Sequence, residues 1–201
     1  QDHLSDLCSH WRYFTNHRLL LMDKTFDTEA PAQRIVMVTG GQRSGKSVFA
    51  EKLALSMSPC PVYLATAMVM DEEMRQRVEI HKQRRLLKWR NLEAPFGIED
   101  LTISHDETVL LDCLTMWATN WLFKKKESPD EALSELKRQF DILVSSGASI
   151  IIVTNEIGLG GVSQNPLQRK FTDLQGMINQ YVASRADEVY MLVSGIPLKI
   201  K

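Results

Sequence analysis

The chain has 201 residues, of which 44% are hydrophobic and 24% are charged, and its formal net charge is −1. This length suits one domain, or one domain with an appendage, and is enough to bury a sizeable core. The balanced charge gives no reason to expect nucleic acid or a membrane surface as a partner, and no apolar run approaches the roughly 20 residues that span a bilayer.

The three cysteines, Cys8, Cys60 and Cys113, show neither C-x-x-C pairing nor a metal-type spacing with histidine. An odd, scattered set of this kind is typical of reduced thiols. The chain also begins with a polar stretch, residues 1–4, that has no signal-peptide pattern. We therefore expect a cytoplasmic protein.

Residues 1–33 differ in pattern from the remainder of the chain. Leu4, Leu7, Trp11 and Phe14 recur at helical spacing, and residues 23–33 are polar and end near a proline. The pattern predicts an N-terminal helical extension and linker, with the helix more typical of a packing or oligomer contact than of a catalytic element. The main domain is expected over residues 34–201.

A glycine-rich loop is the most informative stretch. The apolar run 34–39 precedes Gly40-Gly41-Gln42-Arg43-Ser44-Gly45-Lys46-Ser47, and a helix-like segment comes after it. In this G-x-x-x-x-G-K-S pattern, backbone N–H groups surround phosphate oxygens at the start of a helix. Lys46 can reach the β- and γ-phosphates, and the Ser47 hydroxyl can bind Mg²⁺. The sequence therefore predicts a site for a nucleoside triphosphate.

Beyond this loop, strand and helix patterns alternate, which indicates an α/β fold with a largely parallel sheet. The predicted strands are 34–39, 61–66, 109–112, 149–154 and 188–193, with a short edge strand within 196–201. The predicted helices are 46–57, 71–87, a segment through 117–122, 130–145 and 167–185.

In such a fold, ligands gather beyond the carboxyl ends of the parallel strands. The rule predicts that four segments lie at the binding site: the glycine loop, residues 66–68, Asp112 and residues 155–156. Asp112 ends a short apolar strand, so it is a candidate Mg²⁺ ligand, direct or through water, although a carboxylate that caps the strand end fits the same pattern. Glu156 is equally compatible with a base or metal contact and with a loop carboxylate that organises residues 158–161.

One histidine is a candidate nucleophile. Met74, Val78, His81 and Arg85 fall on one stripe of the predicted helix, and the neighbouring cations favour a neutral imidazole at His81. A neutral imidazole can attack an α-phosphate, while the cations stabilise the developing charge. A histidine on a helix surface is also a common structural residue, so the spacing alone leaves both interpretations open.

Several strings in this order resemble one family, the bifunctional adenosylcobinamide kinases and adenosylcobinamide-phosphate guanylyltransferases of cobalamin biosynthesis. They are residues 38–47, 63–67, 71–75, 77–81, Trp89-Arg90, Glu93, 110–115, Thr119-Asn120, 153–160 and 186–189 with the Gly195 tail. The resemblance extends over about residues 34–201.

The resemblance implies a P-loop NTPase (RecA-like) fold, mostly parallel with one antiparallel strand, and a homotrimer. It implies that adenosylcobinamide is phosphorylated with ATP or GTP, and that GMP then passes from GTP through a histidine to adenosylcobinamide phosphate. The histidine that matches the family's nucleophile is His81, which joins Lys46 as a catalytic candidate. The nucleotide-binding candidates are Gly40, Gly41, Gln42, Arg43, Ser44, Gly45, Lys46, Ser47, Thr66, Ala67, Met68, Lys82, Gln83, Arg84, Arg85, Glu93 and Asp112, with Ser47 and Asp112 also expected to bind Mg²⁺.

Two other functions remain compatible with the residues alone. A plain P-loop kinase for a small molecule would use His81 only as a structural residue. A nucleotide-dependent switch would bind GTP without releasing pyrophosphate.

Overall fold

The computed structural model describes residues 32–68 and 88–201. Over these ranges it forms one seven-stranded sheet with four α-helices. The strands are β1 (Ile35–Gly40), β2 (Val62–Ala65), β3 (Arg90–Glu93), β4 (Thr108–Asp112), β5 (Ser149–Val153), β6 (Glu188–Val193) and β7 (Ile196–Lys199). The helices are α1 (Lys46–Met57), α2 (Leu114–Lys124), α3 (Pro129–Ser145) and α4 (Pro166–Arg185), with a short 3₁₀ turn at Gly158–Gly160.

The strand order across the sheet is β3-β2-β4-β5-β1-β6-β7. All neighbouring pairs are parallel except the last, in which β7 runs antiparallel to β6. One strand, β5, separates β1, which leads into the glycine loop, from β4, which ends at Asp112. The predicted fold class, a mostly parallel α/β sheet with an antiparallel edge strand, is confirmed.

The central strands are buried on both faces because their apolar side chains alternate between two cores. In β1, Ile35 and Met37 face a large core that includes α2, α3 and α4, whereas Val36 and Val38 face a smaller core under α1. Helix α1 therefore covers one face of the sheet, and the other three helices cover the opposite face.

Strand β3 is not among the strands predicted from the sequence, although Glu93 within it was a candidate site residue. Its sequence, Arg90-Asn91-Leu92-Glu93, is polar and half exposed. An edge strand of this kind lacks the apolar run that marks the central strands, because only Leu92 packs against the large core.

The expectation of reduced thiols is wrong for Cys60, which is disulfide-bonded, whereas Cys113 is a free thiol. Spacing along the chain does not encode which thiols meet in the folded structure. In the described part of the chain, no helix is long and apolar enough to cross a membrane.

Candidate nucleotide site

The carboxyl ends of the six parallel strands lie along one edge of the sheet. The register places Ala65 of β2 beside both Glu93 of β3 and Asp112 of β4, and Asp112 beside Val153 of β5. Gly40 is the last residue of β1, which pairs with β5 on the side opposite to β4. The strand ends predicted to carry the site therefore form one row.

The glycine loop has the backbone that its sequence predicts. Gly40 has φ +144°, and a Cβ atom there would lie 2.5 Å from the carbonyl oxygen of Leu192, so only glycine fits against β6. Gly45 has φ +95° and immediately precedes α1, which begins at Lys46. No acidic residue occupies the first turn of α1, so the partial positive charge of its N-terminus is not offset there. The loop can therefore present N–H groups to an anion.

Lys46 is turned into this loop. Its side chain is buried, and Nζ donates a hydrogen bond of 2.6 Å to the carbonyl oxygen of Gly41. Burial lowers the pKa of Lys46 from its ordinary value, while nearby Cys113 and Asp112 act in the opposite direction. Lys46 therefore lies within electrostatic reach of the end of β4.

The turn between β6 and β7 supports the loop from the side. The Gly195 N–H donates to the carbonyl oxygen of Ser44 at 2.9 Å. A Cβ atom on Gly45 would lie 3.3 Å from the Cα of Gly195, so the two backbones pack closely. Both residues of the turn, Ser194 and Gly195, have positive φ, which is typical of a two-residue hairpin turn.

Hydrogen bonds connect the end of β4, at Asp112 and Cys113, to β2 and the residue after it. The Tyr63 hydroxyl donates to Asp112 Oδ2 at 2.9 Å, and Thr66 Oγ1 donates to the carbonyl oxygen of Cys113 at 2.7 Å. Asn120 of α2 in turn donates to the carbonyl oxygens of Thr66 and Pro95, each at 2.8 Å. These bonds join the ends of β2 and β4 into one connected unit.

The residues present fit a Mg²⁺–nucleotide. Magnesium prefers hard oxygen ligands and is usually held by one or two carboxylates together with substrate phosphates. Ser47 and Asp112, both half-buried, supply a hydroxyl and a carboxylate of this type. Ser44 Oγ is buried and makes no hydrogen bond within the described residues, so a donor to a phosphate oxygen lies in the loop. Within those same residues, no cluster of three or more histidine, cysteine or acidic side chains could hold a metal by itself.

The segment after β5 is fixed by buried polar groups. Thr154 Oγ1 donates to Asn179 Oδ1 at 2.7 Å, and Asn179 Nδ2 donates to the carbonyl oxygen of Asn155 at 3.0 Å. From α2, Thr115 Oγ1 accepts from the Asn155 N–H at 2.9 Å. The Glu156 N–H then donates to the carbonyl oxygen of Gly40 at 3.1 Å, which ties this segment to the glycine loop.

Glu156 remains compatible with a role as a base or metal contact and with a role in organising residues 158–161. A Cβ atom on Gly158 would lie 3.6 Å from Glu156 Oε1, so the carboxylate lies beside the loop that it was expected to organise. Its backbone contact with Gly40 also places it next to the nucleotide loop.

Other predicted residues lie farther out or outside the described ranges. Glu93 is exposed, and it ends β3 two strands away from Asp112, a separation of about 10 Å at normal strand spacing. Ala67 and Met68 come after Thr66 and are half-buried. The candidate nucleophile and its neighbours lie outside the described residues: His81, Lys82, Gln83, Arg84 and Arg85.

Cys113 adjoins the site, and its surroundings disfavour a role as a nucleophile. Burial, reinforced by Asp112, raises the pKa of its thiol to about 12. A protonated thiol is a poor nucleophile and a poor metal ligand. Instead, Sγ accepts a hydrogen bond from the Met116 N–H at 3.5 Å and caps the start of α2.

Several residues that contact the site were not among the predicted site residues. The strings that resemble the family include Tyr63, Thr115 and Asn120, but no role was predicted for them. Gln175 and Asn179 are polar residues four apart on the buried face of α4, a pattern that could have identified them. Their partners could not have been read from the sequence, since Thr154 and Asn155 lie in the segment after β5.

The parallel sheet, the glycine loop before α1 and the carboxylate at the end of β4 together define a P-loop protein that binds nucleotides. The model of the CobU family, described as cobinamide kinase / cobinamide phosphate guanyltransferase, matches residues 36–200. The chain therefore belongs to this family and is an enzyme of the transferase class. The family membership expected from the sequence is confirmed.

Three curated relatives agree. The bifunctional adenosylcobalamin biosynthesis protein CobU of Salmonella typhimurium is 39% identical over 181 residues, which cover 83% of this chain and 99% of that protein. The protein of the same name from Escherichia coli K12 has the same identity and coverage. The bifunctional adenosylcobalamin biosynthesis protein CobP of Pseudomonas aeruginosa is 37% identical over 168 residues, covering 82% of this chain and 96% of that protein.

Proposed function

We propose that this chain catalyses two successive reactions in adenosylcobalamin biosynthesis, with the same glycine loop holding the nucleotide in both. The observation that carries the proposal is that the family match, residues 36–200, contains the loop, Asp112 and the position of His81. The position of Lys46 supports a nucleotide site, because its Nζ is turned into the glycine loop and nearby Asp112 acts to raise its pKa.

In the first reaction, the aminopropanol hydroxyl oxygen of adenosylcobinamide attacks the γ-phosphorus of ATP or GTP. The bond to the β–γ bridging oxygen breaks, the nucleoside diphosphate leaves, and the hydroxyl proton is released. Lys46 and the N-terminus of α1 stabilise the negative charge that moves onto the phosphates, since donors already in place require no reorganisation during the reaction.

In the second reaction, a ring nitrogen of His81 attacks the α-phosphorus of GTP. A P–N bond forms, the bond to the β-phosphate oxygen breaks, and pyrophosphate leaves. A phosphate oxygen of adenosylcobinamide phosphate then attacks the same phosphorus and displaces the His81 nitrogen, giving adenosine-GDP-cobinamide. The covalent step divides one difficult transfer into two displacements.

Ser47 and Asp112 would hold Mg²⁺ against the phosphates, where the ion supplies charge neutralisation for the developing transition state. The remaining proposed nucleotide contacts are Thr66, Ala67, Met68, Lys82, Gln83, Arg84, Arg85 and Glu93. The proposal further includes a homotrimer, as the resemblance implies, and the cytoplasmic location expected from the sequence. Sedimentation equilibrium of the purified chain would measure the oligomeric state.

The test separates the two reactions. Phosphate transfer from γ-labelled ATP to adenosylcobinamide measures the first, and release of pyrophosphate from GTP measures the second. Lys46→Met should reduce both rates by about 100-fold or more, the magnitude found when one preorganised charge-stabilising donor is removed. The matched control is Lys52→Met, on the exposed surface of α1, which should leave both unchanged.

His81→Asn is the discriminating variant. It should abolish pyrophosphate release while the first reaction continues. Pyrophosphate release that survives this substitution would contradict the role of His81. A wild-type chain with kinase activity and no guanylyl transfer would instead support a plain P-loop kinase.

A further inference from the structure

The hydroxyl of Tyr63 makes an unusual connection between two strands of the site. Tyr63 lies in the middle of β2, where only 5% of its surface is exposed, and its ring belongs to the small core under α1. Its hydroxyl nevertheless reaches the end of the neighbouring strand and donates to Asp112 Oδ2 at 2.9 Å. An apolar core residue would have filled the same space, so the hydroxyl calls for an explanation beyond packing.

The ring itself is held in one position. The indole of Trp89 meets it edge to face, with ring centroids 6.0 Å apart and an interplanar angle of 84°. On the sheet, Tyr63 pairs with Leu110 of β4, which is fully buried. Because the ring is confined on these sides, its hydroxyl is a fixed donor rather than a mobile one.

A fixed donor to one carboxylate oxygen limits rotation of the whole carboxylate. Hydrogen bonds to a charged acceptor are about twice as strong as bonds between neutral groups, and a group held in place loses less entropy when a ligand binds. In metal sites, partners of this kind orient the ligand side chains and alter metal affinity by about 10- to 100-fold.

We propose that Tyr63 is a positioning residue of the metal–phosphate site, whose hydroxyl orients the Asp112 carboxylate toward the divalent cation that accompanies the bound nucleotide. This inference rests on the proposed role of Asp112 in binding Mg²⁺. Tyr63 acts through Asp112 and needs no contact with the nucleotide.

The chain provides a matched control. Tyr190 on β6 also donates its hydroxyl to a carboxylate, Glu188 Oε2, at 2.6 Å, and its ring contacts Phe49 of α1 at a centroid distance of 5.2 Å. Tyr63→Phe and Tyr190→Phe therefore remove the same kind of bond and keep the same kind of ring packing. Of these two tyrosines, only Tyr63 has Asp112 as its acceptor.

The first measurement is binding of Mn²⁺, a paramagnetic substitute for Mg²⁺, to the full chain with a GTP analogue whose β–γ bridge cannot be cleaved. Electron paramagnetic resonance of the free ion gives the dissociation constant. Tyr63→Phe should raise this constant about tenfold, at the lower end of the range for partners of metal ligands, and Tyr190→Phe should leave it unchanged. Asp112→Asn should raise it further than Tyr63→Phe does.

The second measurement distinguishes positioning from a general loss of structure. For Tyr63→Phe, the Mg²⁺ concentration that gives half-maximal turnover should rise by a similar factor, while kcat at saturating Mg²⁺ should stay within about twofold of wild type because the carboxylate itself is intact. A damaged fold would lower kcat at every Mg²⁺ concentration, and that result would overturn the inference.

Comparison of the two variants also shows whether the role of Tyr63 or the proposed Mg²⁺ site at Asp112 has failed. If Asp112→Asn weakens Mn²⁺ binding and Tyr63→Phe does not, the positioning role of Tyr63 is wrong and the metal role of Asp112 stands. If Asp112→Asn binds Mn²⁺ as tightly as wild type, the proposed metal site is wrong and the inference is overturned with it.

Discussion

Gly195 and Ser44 lie about 150 residues apart in the chain, yet the N–H of Gly195 donates to the carbonyl oxygen of Ser44 at 2.9 Å. The antiparallel hairpin at the edge of the sheet therefore touches the loop proposed to hold the nucleotide. Gly40, at the other end of the loop, is packed against Leu192 of the same hairpin. The hairpin thus limits the conformations that the loop can adopt.

Gly195→Ala should weaken nucleotide binding. The φ of +85° at this position costs an alanine about 1 kcal/mol, so the turn shifts and the support of Ser44 is lost. We expect the dissociation constant for a fluorescent GTP analogue to rise about fivefold, which corresponds to roughly 1 kcal/mol. Titration of the purified variant by fluorescence would give the value.

Gly147→Ala is the control for backbone strain. Gly147 has φ +78° and lies in the turn between α3 and the amino end of the central strand β5, whereas the glycine loop follows the carboxyl end of β1. A Cβ atom there would also lie 3.1 Å from the Cβ of His105, so Gly147→Ala should destabilise the protein at least as much as Gly195→Ala, yet leave the GTP affinity unchanged. Equal loss of GTP affinity in the two variants would show that strain anywhere in the fold, rather than the hairpin contact, controls the loop.

Asn179→Ala should destabilise the protein. This substitution removes the acceptor of the Thr154 hydroxyl and the side-chain donor to the Asn155 carbonyl oxygen in a buried environment, where each unsatisfied group costs about 1–3 kcal/mol. Urea unfolding should show a lower midpoint with an unchanged slope. Gln180→Ala, on the exposed face of the same helix, serves as the comparison and should unfold like wild type. An unchanged midpoint for Asn179→Ala would mean that the network contributes nothing to stability.

Cys113 should resist alkylation in the native protein. Burial and Asp112 raise the pKa of its thiol to about 12, so only a negligible fraction is thiolate at pH 8. Treatment with iodoacetamide at pH 8, followed by peptide mass spectrometry, should leave Cys113 unmodified until a denaturant is added. Rapid modification of Cys113 in the folded chain would contradict this.

Most of the fold could be predicted because its signals are local. Central strands such as β5 consist of continuous apolar residues, and amphipathic helices such as α3 place Leu136, Phe140 and Leu143 on one buried face. The edge strand β7 was predicted from the sequence, and its antiparallel direction was expected from the family resemblance. Strand β3 could not be predicted, because its polar residues are stabilised by pairing with β2 and by one core contact rather than by an apolar pattern.

The candidate site was predicted only where each residue carries its own signal. The glycine loop and Asp112 have a recognisable spacing and context, and the register of the sheet places them at one edge. The Tyr63–Asp112 bond and the Gly195–Ser44 bond each join separate elements, so no local pattern encodes them. The roles of His81 and of Lys82, Arg84 and Arg85 stay predictions, since these residues lie outside the described part of the chain.

The most direct test of the central claim is mass spectrometry of the protein after incubation with GTP and Mg²⁺ in the absence of a cobinamide acceptor. We expect an acid-labile adduct with the mass of GMP, mapped to the peptide that contains His81, and its disappearance when adenosylcobinamide phosphate is added. Wild-type protein that releases pyrophosphate without any such adduct, or that carries GMP on another residue, would contradict it.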